Sequence, residues 1–425
     1  MLKILKLKNG LHFINIPMPG TKAVTVLILF PVGSRFEDKK ISGASHFVEH
    51  MMFKGTVKRP DYLAISRELD AVGADYNAFT YKDYTGYYVK VDSSKAALAF
   101  DLLSDIVFNS TLAANEVEKE KGVIIEELRM YEDNPTMAVD LLFDAVMFSD
   151  HPLGWDVGGT VETVRNMNPE DLMAYYKKYY SPANAVLVVA GNLEKKKMSK
   201  LLEKFVVIEG QKKNPAWNSF SRFSWDRKVG LIDRVKVQSR KIDQARMILG
   251  FPGLDYKNKK RYAAAVMLNI LGGGMSSRLF VEVREKRGLA YMIRAGMTSY
   301  QECGAVQIQA GLDPLRLEEA IKTIKVEIKK ISTEMVTRRE LEDAKNNIIG
   351  RLALSLEDSS NVAERAAKQF WFAPEVEDFT MIKRRIKAVT EEQVQQVAKE
   401  LFDFSQMRLA VIGPLEKEAV LKMIK

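Results

Sequence analysis

The chain is poor in the residues that cross-link a protein or carry it through a membrane. It has one cysteine, Cys303, in 425 positions. That excludes an intrachain disulfide framework and any cysteine-based zinc finger. Its apolar runs are short: Ala23–Phe30 holds eight residues, against the roughly 20 that a membrane-spanning helix needs. Residues 1–8 carry no apolar stretch and no small-residue cleavage site, and they are not rich in Ser and Arg. Neither a secretory signal nor a transit segment is expected, and a cytoplasmic protein without a membrane partner is. With 25 glycines and 13 prolines the composition is neither disordered nor collagen-like. Histidine is scarce as well, with four in the whole chain: His12, His46, His50 and His151.

What is present suits a folded protein of two to four domains. Hydrophobic residues make up 47% and charged residues 28%. The net charge of +9 raises the question of nucleic acid. The lysines, however, come in short clusters at 195–197, 212–213 and 257–261, separated by acidic stretches such as 116–127, with no interleaved aromatics. Solvated basic faces account for them, and no nucleic-acid partner is expected.

Local patterns place elements along the chain. Residues 2–7 and 11–16 flank Asn9-Gly10 and read as a hairpin. Residues 23–30 read as a buried strand, 61–72 as a helix stopped by Gly73, and 74–81 and 85–91 as two strands. Residues 94–109 and 115–133 read as long helices, and 186–190 as a strand ended by Gly191. A similar order then returns. Phe251-Pro252 repeats Phe30-Pro31 221 positions on, and Ile412-Gly413 repeats Ala190-Gly191 222 positions on. The helix from Glu116 to Asp133 is echoed from Glu340 to Asp358, and the stretch from Asp171 to Tyr179 is echoed from Gln393 to Leu401. These echoes predict an internal duplication. Residues 1–209 and 236–425 form the two domains, joined by a polar linker at 210–235 that holds Trp217 and Trp225 as exposed tryptophans. Strands and helices do not alternate singly, so the class is α+β.

Two of the four histidines stand in His46-Phe47-Val48-Glu49-His50. Residues 41–54 read as a helix, with Ser42 or Ser45 near its start. Positions i and i+4 share a helix face, so His46 and His50 can grip one ion. Glu49 lies beside them, where a carboxylate takes a proton from a metal-bound water. This is the inverted zinc-peptidase pattern His-x-x-Glu-His. A catalytic zinc wants a third protein ligand, and with no further histidine to hand a carboxylate is expected.

The run from Ala44 to Thr56, Ala-Ser-His-Phe-Val-Glu-His-Met-Met-Phe-Lys-Gly-Thr, resembles the zinc motif of the pitrilysin (insulinase) peptidase family. The resemblance is nearest to its branch of mitochondrial processing peptidase and half-size bacterial and archaeal relatives. It implies two similar α+β domains, each an antiparallel sheet with helices packed on one face. It further implies that Glu127, in Glu120-Lys-Gly-Val-Ile-Ile-Glu-Glu127 and 76 residues beyond His50, is the third zinc ligand. Glu126 is the local rival, but Glu127 lies two turns from Glu120 and shares its helix face. Glu120 matches a further carboxylate near the metal that orients a ligand. Asn77-Ala78-Phe79 matches an edge strand that accepts the substrate backbone. Arg284 and Tyr291 match a pair that binds near the scissile carbonyl and steadies its oxyanion. Nearby Arg278 reads as structural, and neither His12 nor His151 is assigned to the metal. Gly272-Gly273-Gly274 lacks a following Gly-Lys-Ser/Thr, so a phosphate loop is not supported.

Together these readings predict a zinc-dependent endopeptidase with one Zn2+ per chain, acting on unfolded peptides inside a closed chamber. A homodimer that shares Arg284 and Tyr291 between subunits is expected, with a heterodimer of related chains as the variant. The rival reading is a noncatalytic or partner-dependent subunit of a processing peptidase.

Overall fold

A computed structural model describes residues 4–205, 219–226 and 228–424. The first half of the chain forms β1 (Ile4–Lys6), β2 (His12–Pro17), β3 (Ala23–Phe30), α1 (Ala44–Met51), α2 (Tyr62–Asp70), β4 (Asp75–Thr80) and β5 (Thr85–Asp92). It continues with α3 (Ala96–Phe108), α4 (Ala114–Asp133), α5 (Pro135–Met147), α6 (Val161–Asn166), α7 (Pro169–Tyr179), β6 (Val186–Gly191) and α8 (Lys195–Phe205). The second half forms β7 (Val235–Ser239), β8 (Ala245–Gly253), α9 (Arg261–Gly272), β9 (Ala290–Ser299), β10 (Gly304–Leu312) and α10 (Leu317–Thr333). It ends with α11 (Arg338–Ser355), α12 (Ser359–Phe372), α13 (Phe379–Lys387), α14 (Glu391–Leu401), β11 (Arg408–Gly413) and α15 (Lys417–Ile424).

The duplication is explicit in the strand orders. One sheet runs β1-β2-β6-β3-β5-β4 and the other β7-β11-β8-β10-β9. Dropping β1 and pairing each strand with its counterpart in chain order makes the two identical. The α+β architecture therefore stands as two copies of one fold. In detail the sheets are mainly antiparallel, with one parallel pair each: β2 with β6 and β7 with β11. The opening hairpin forms as the sequence predicts, with Gly10 at φ +88° and Asn9 accepting from the Leu11 N–H.

Two compact units result, and both are discontinuous in sequence. The first comprises Met1–Arg129, Asp156–Ser221 and Leu354–Glu377; the second comprises Met130–Trp155, Arg222–Ala353 and Asp378–Lys425. In the first unit Val24, Val26, Ile28 and Phe30 of β3 and Tyr87, Val89 and Val91 of β5 share a core with residues of α1, α3 and α7. In the second, Met247, Leu249 and Phe251 of β8 pack with residues of α9, α10 and α14. One helical layer per sheet is thus as expected. The opposite faces are covered too, each by one helix from the other half of the chain. α12 lies over β3 and β6, where Thr25 Oγ1 meets Ser359 Oγ at 2.8 Å and the Lys90 ammonium donates to Asp358 at 2.7 Å. α5 lies over β8 and β11, and its Val139, Phe143 and Val146 join Ile248, Ala410 and Ile412. α5 and α12 hold the same place in the two halves, so the exchange is reciprocal.

Of the linker expected at 210–235, residues 210–218 and 227 lie outside the described residues, Trp217 among them, and Val235 already opens β7. Trp225 is not exposed as the sequence suggested. Its ring sits 5.6 Å from that of Phe148, because Phe148, Phe223 and Tyr300 form an aromatic cluster that it completes.

The Phe143 ring covers Gly250, where a Cβ would fall 2.3 Å from it, and Phe143 is 2% exposed. We expect Phe143→Ala to cost about 3–5 kcal/mol in urea unfolding, the usual loss for emptying a buried aromatic site. A loss below about 1 kcal/mol would contradict the exchanged packing.

Candidate metal centre

α1 is amphipathic. Ala44, Phe47, Val48 and Met51 are buried, which turns His46, Glu49 and His50 to the other face. The helix starts after Gly43, at φ +97°, where a Cβ would lie 2.5 Å from the Gly158 carbonyl oxygen. Both the left-handed turn and the close approach require glycine.

His46 Nε2 and His50 Nε2 stand 3.2 Å apart. α4 adds Glu127, whose Oε2 lies 3.6 Å from the first and 3.4 Å from the second. Donors around a tetrahedral zinc, with bonds of about 2.0–2.1 Å, stand about 3.3 Å apart. The three atoms therefore already have the spacing of one tetrahedral face. Among the described residues they form the one group of three metal-competent side chains with ligand atoms within 4.8 Å of one another. Two imidazoles and a carboxylate fit a zinc that keeps its fourth position open.

The surrounding groups fix this trio. Glu120, buried on α4, has Oε1 2.8 Å from His50 Nδ1, while its Oε2 accepts from the Lys54 ammonium at 2.6 Å. His50 is thereby oriented with Nε2 toward Glu127. Burial pushes the Glu120 carboxyl up, but His50 and Lys54 outweigh it and hold it below its usual range. The His50 proton holds Glu127 low as well. Burial, reinforced by the neighbouring His50, pulls His46 down to about 4. For His50 burial also opposes the charge, yet Glu120 and Glu127 prevail and lift it to about 9. Glu120 and Glu127 thus favour the charged form of His50 over the neutral one.

Glu49 lies beside this group, and the Thr80 hydroxyl donates to its Oε2 at 2.5 Å. Burial raises the Glu49 carboxyl, with the Thr80 hydroxyl and His50 opposing. Thr80 ends β4, the outermost strand of its sheet, which also carries Asn77, Ala78 and Phe79. Asn77 is exposed, and its Oδ1 accepts from the Ala78 N–H at 2.9 Å.

Arg284 and Tyr291 belong to the second unit. The six residues Phe280–Glu285 form a π-helical turn, and the Arg284 guanidinium lies 5.2 Å from the centroid of the Tyr291 ring. Tyr291 opens outward from β9 at 73% exposure. Arg278 is structural, donating to both carboxylate oxygens of Glu340. His12 packs on Phe370, and His151 Nδ1 accepts from the Leu153 N–H. Sequence reasoning missed Lys54 and Thr80. Lys54 stands one turn beyond His50, so a helical continuation was the signal available; Thr80 had no local one.

Comparison with known proteins shows the family to which the chain belongs. Residues 14–161 match the family described as Insulinase (Peptidase family M16), and residues 166–348 match the one described as Peptidase M16 inactive domain. A protein named as an uncharacterized zinc protease from Streptomyces coelicolor is 36% identical over 96% of this chain and 89% of its own length. The uncharacterized zinc protease YmxG of Bacillus subtilis is 34% identical over 97% and 98%. Among solved structures, a protease from Helicobacter pylori has a TM-score of 0.91 and 25% identity, covering 97% of this chain and 99% of that one. The chain therefore belongs to peptidase family M16, the insulinase family, and is of its half-size type. The description of the second match suits the second half, where α9 stands in the place of α1 and has the sequence RYAAAVMLNILG, without histidine or carboxylate.

A zinc ion held by these three donors would have to displace a proton on His50, which would link its binding to pH. His50 is charged below about 9 and His46 stays neutral down to about 4. Between pH 6 and 8.5 the apparent Zn2+ affinity should rise about tenfold per unit, with about one proton released per ion. Calorimetry in buffers of different ionisation enthalpy measures this, and zero release would contradict a proton held on His50.

Proposed function

We propose that this chain is a zinc-dependent endopeptidase, holding one Zn2+ through His46, His50 and Glu127. The observation that supports it most is the tetrahedral spacing of these three donors with the Glu49 carboxylate alongside. Bound zinc would polarise the scissile carbonyl and acidify a water. Glu49 accepts the proton from that water as it attacks, and its burial, which raises its basicity, suits it to the task. Thr80 occupies one Glu49 oxygen, which leaves the other to hold the proton and deliver it to the leaving amine. The open edge of β4 at Asn77, Ala78 and Phe79 takes the substrate as an added strand, a mode with little sequence demand. Arg284 and Tyr291 donate to the developing oxyanion.

The reading includes a homodimer, enclosing a chamber for unfolded peptides, in which each centre receives Arg284 and Tyr291 from a second copy. It also includes a cytoplasmic setting, in keeping with a single buried cysteine. No helix among the described residues is long and apolar enough to cross a membrane.

Quenched fluorescent peptides of mixed sequence test the activity. Cleavage should stop with chelator, return with zinc, and fall about 100- to 10,000-fold in Glu49→Gln, the range for loss of a general base. Zinc binding without cleavage would instead favour the partner-dependent subunit. Sharing between subunits is tested by mixing Glu49→Gln with Arg284→Ala chains. Random pairing leaves one intact centre per mixed dimer, so about a quarter of wild-type activity should return. No rescue in verified mixed dimers would rule out sharing.

A further inference from the structure

Glu37 is neither a ligand nor a base in this scheme, yet it is 5% exposed and bonded to the start of the helix that carries His46. It ends a short strap, residues 33–37, that is tied at both ends. At the first end the Ser34 N–H donates to the Tyr81 carbonyl and the Arg35 N–H to the Lys82 carbonyl, both at 3.1 Å. Arg35 Nη1 donates to Asp83 Oδ1 at 2.8 Å, with both side chains buried. Gly33 fits only without a side chain, since a Cβ would fall 1.9 Å from the Tyr81 oxygen. This end therefore grips the residues that directly follow Thr80, which holds Glu49.

At the other end, Glu37 Oε2 accepts from the Gly43 N–H and Oε1 from the Ser45 N–H, each at 2.7 Å. These are donors of the first turn of α1. The residue preceding the helix is a glycine with no side chain to cap it. A helix of eight residues is marginal by itself, and its N-terminal donors need partners. Burial pushes the Glu37 carboxyl up to about 7, opposed by its hydrogen bonds to Ser45 and Gly43; once ionised it supplies two acceptors at once and puts negative charge at the positive end of the helix. Ser45, bonded in this way, directly precedes His46, and its Oγ lies 2.7 Å from Tyr175 Oη.

We propose that Glu37 is the positioning residue of the metal centre: its carboxylate fixes the first turn of α1, and so the direction in which His46 and His50 present Nε2. The proposal rests on the zinc-site reading. Replacement by Gln keeps one acceptor but turns an amide N–H2 toward the other backbone donor. Replacement by Asp keeps the charge but shortens the reach, so that only one N–H stays bonded.

The test measures Zn2+ affinity by chelator competition, and donor geometry from the visible absorption of the Co2+ form. Glu37→Gln should bind Zn2+ 10- to 100-fold more weakly, the range for removing a group that orients a ligand, and should lose intensity in its Co2+ bands. Glu37→Asp should fall between it and the parent. Val89→Ala, a core truncation in β5 whose strand partners are Val26 and Tyr76 and not the strap, controls for general destabilisation and should stay within about twofold. If Glu37→Gln does not fold, the Asp variant decides, with a loss of at least about threefold expected. Parental affinity and spectrum in the folded Glu37 variants, or an equal loss in Val89→Ala, would overturn the proposal. Absence of His46-dependent Zn2+ binding in the parent chain would overturn the zinc reading itself.

Discussion

Two imidazole nitrogens and a carboxylate oxygen within 3.6 Å of one another make an arrangement that is stable only around positive charge. Desolvation alone would drive these groups toward neutrality or apart. The neighbouring structure resists that. α1 presents the two histidines from one face, and Glu120 takes the outer nitrogen of His50 and is itself balanced by Lys54. A divalent ion among the ligands, with Glu127 and Glu49 ionised, brings the whole cluster close to electrical neutrality. The proton on His50 is a partial substitute for that ion in the metal-free chain. The proposed metal centre is thus a charge-balance problem solved mostly by two helices, α1 and α4.

What could be read from the sequence was what is local. The spacing of His46, Glu49 and His50 specifies a face once the segment is helical, and Glu120 and Glu127 lie two turns apart on one helix. The strands of the first half followed from turns and alternation, and the second half was legible only as an echo of them. Thr80 and Lys54 acquire their roles only when β4 and α4 approach α1; Lys54 was marked by nothing more than its place one turn beyond His50, and Thr80 by nothing in its own neighbourhood. The parallel pairs β2–β6 and β7–β11 are likewise tertiary, since each joins strands at opposite ends of a half. One signal was there to be used. Ala23–Phe30 is apolar almost throughout and all but its first residue is buried, the mark of a strand covered on both faces rather than one.

The two units share one topology but not one chemistry. β4 and β9 are equivalent outer strands. The first carries Asn77 to Thr80 and leads to Glu49, while the second begins at Ala290-Tyr291 with Arg284 stacked close by. α1 keeps its histidines where α9 has only apolar residues and Asn269 on its inner stretch. Duplication followed by divergence of side chains, with the backbone retained, is the simplest account of this asymmetry. A fold can host separate tasks in its copies because its stability resides in the shared core and not in the site.

The reciprocal placement of α5 and α12 bears on the order in which the protein can be made. A ribosome releases this chain from its N-terminus, yet the sheet of the first unit lacks its second cover until residues 359–372 have emerged. Until then Thr25, Leu27 and Leu29 have only water or another nascent chain to face, and exposed strand surface of that kind invites aggregation. Completion of the unit that carries His46, His50 and Glu127 therefore waits on synthesis of α12 from the other half. Any chaperone that shields this half acts until α12 has emerged. A break anywhere in the second half before α12 would leave the ligands encoded and their scaffold unfinished.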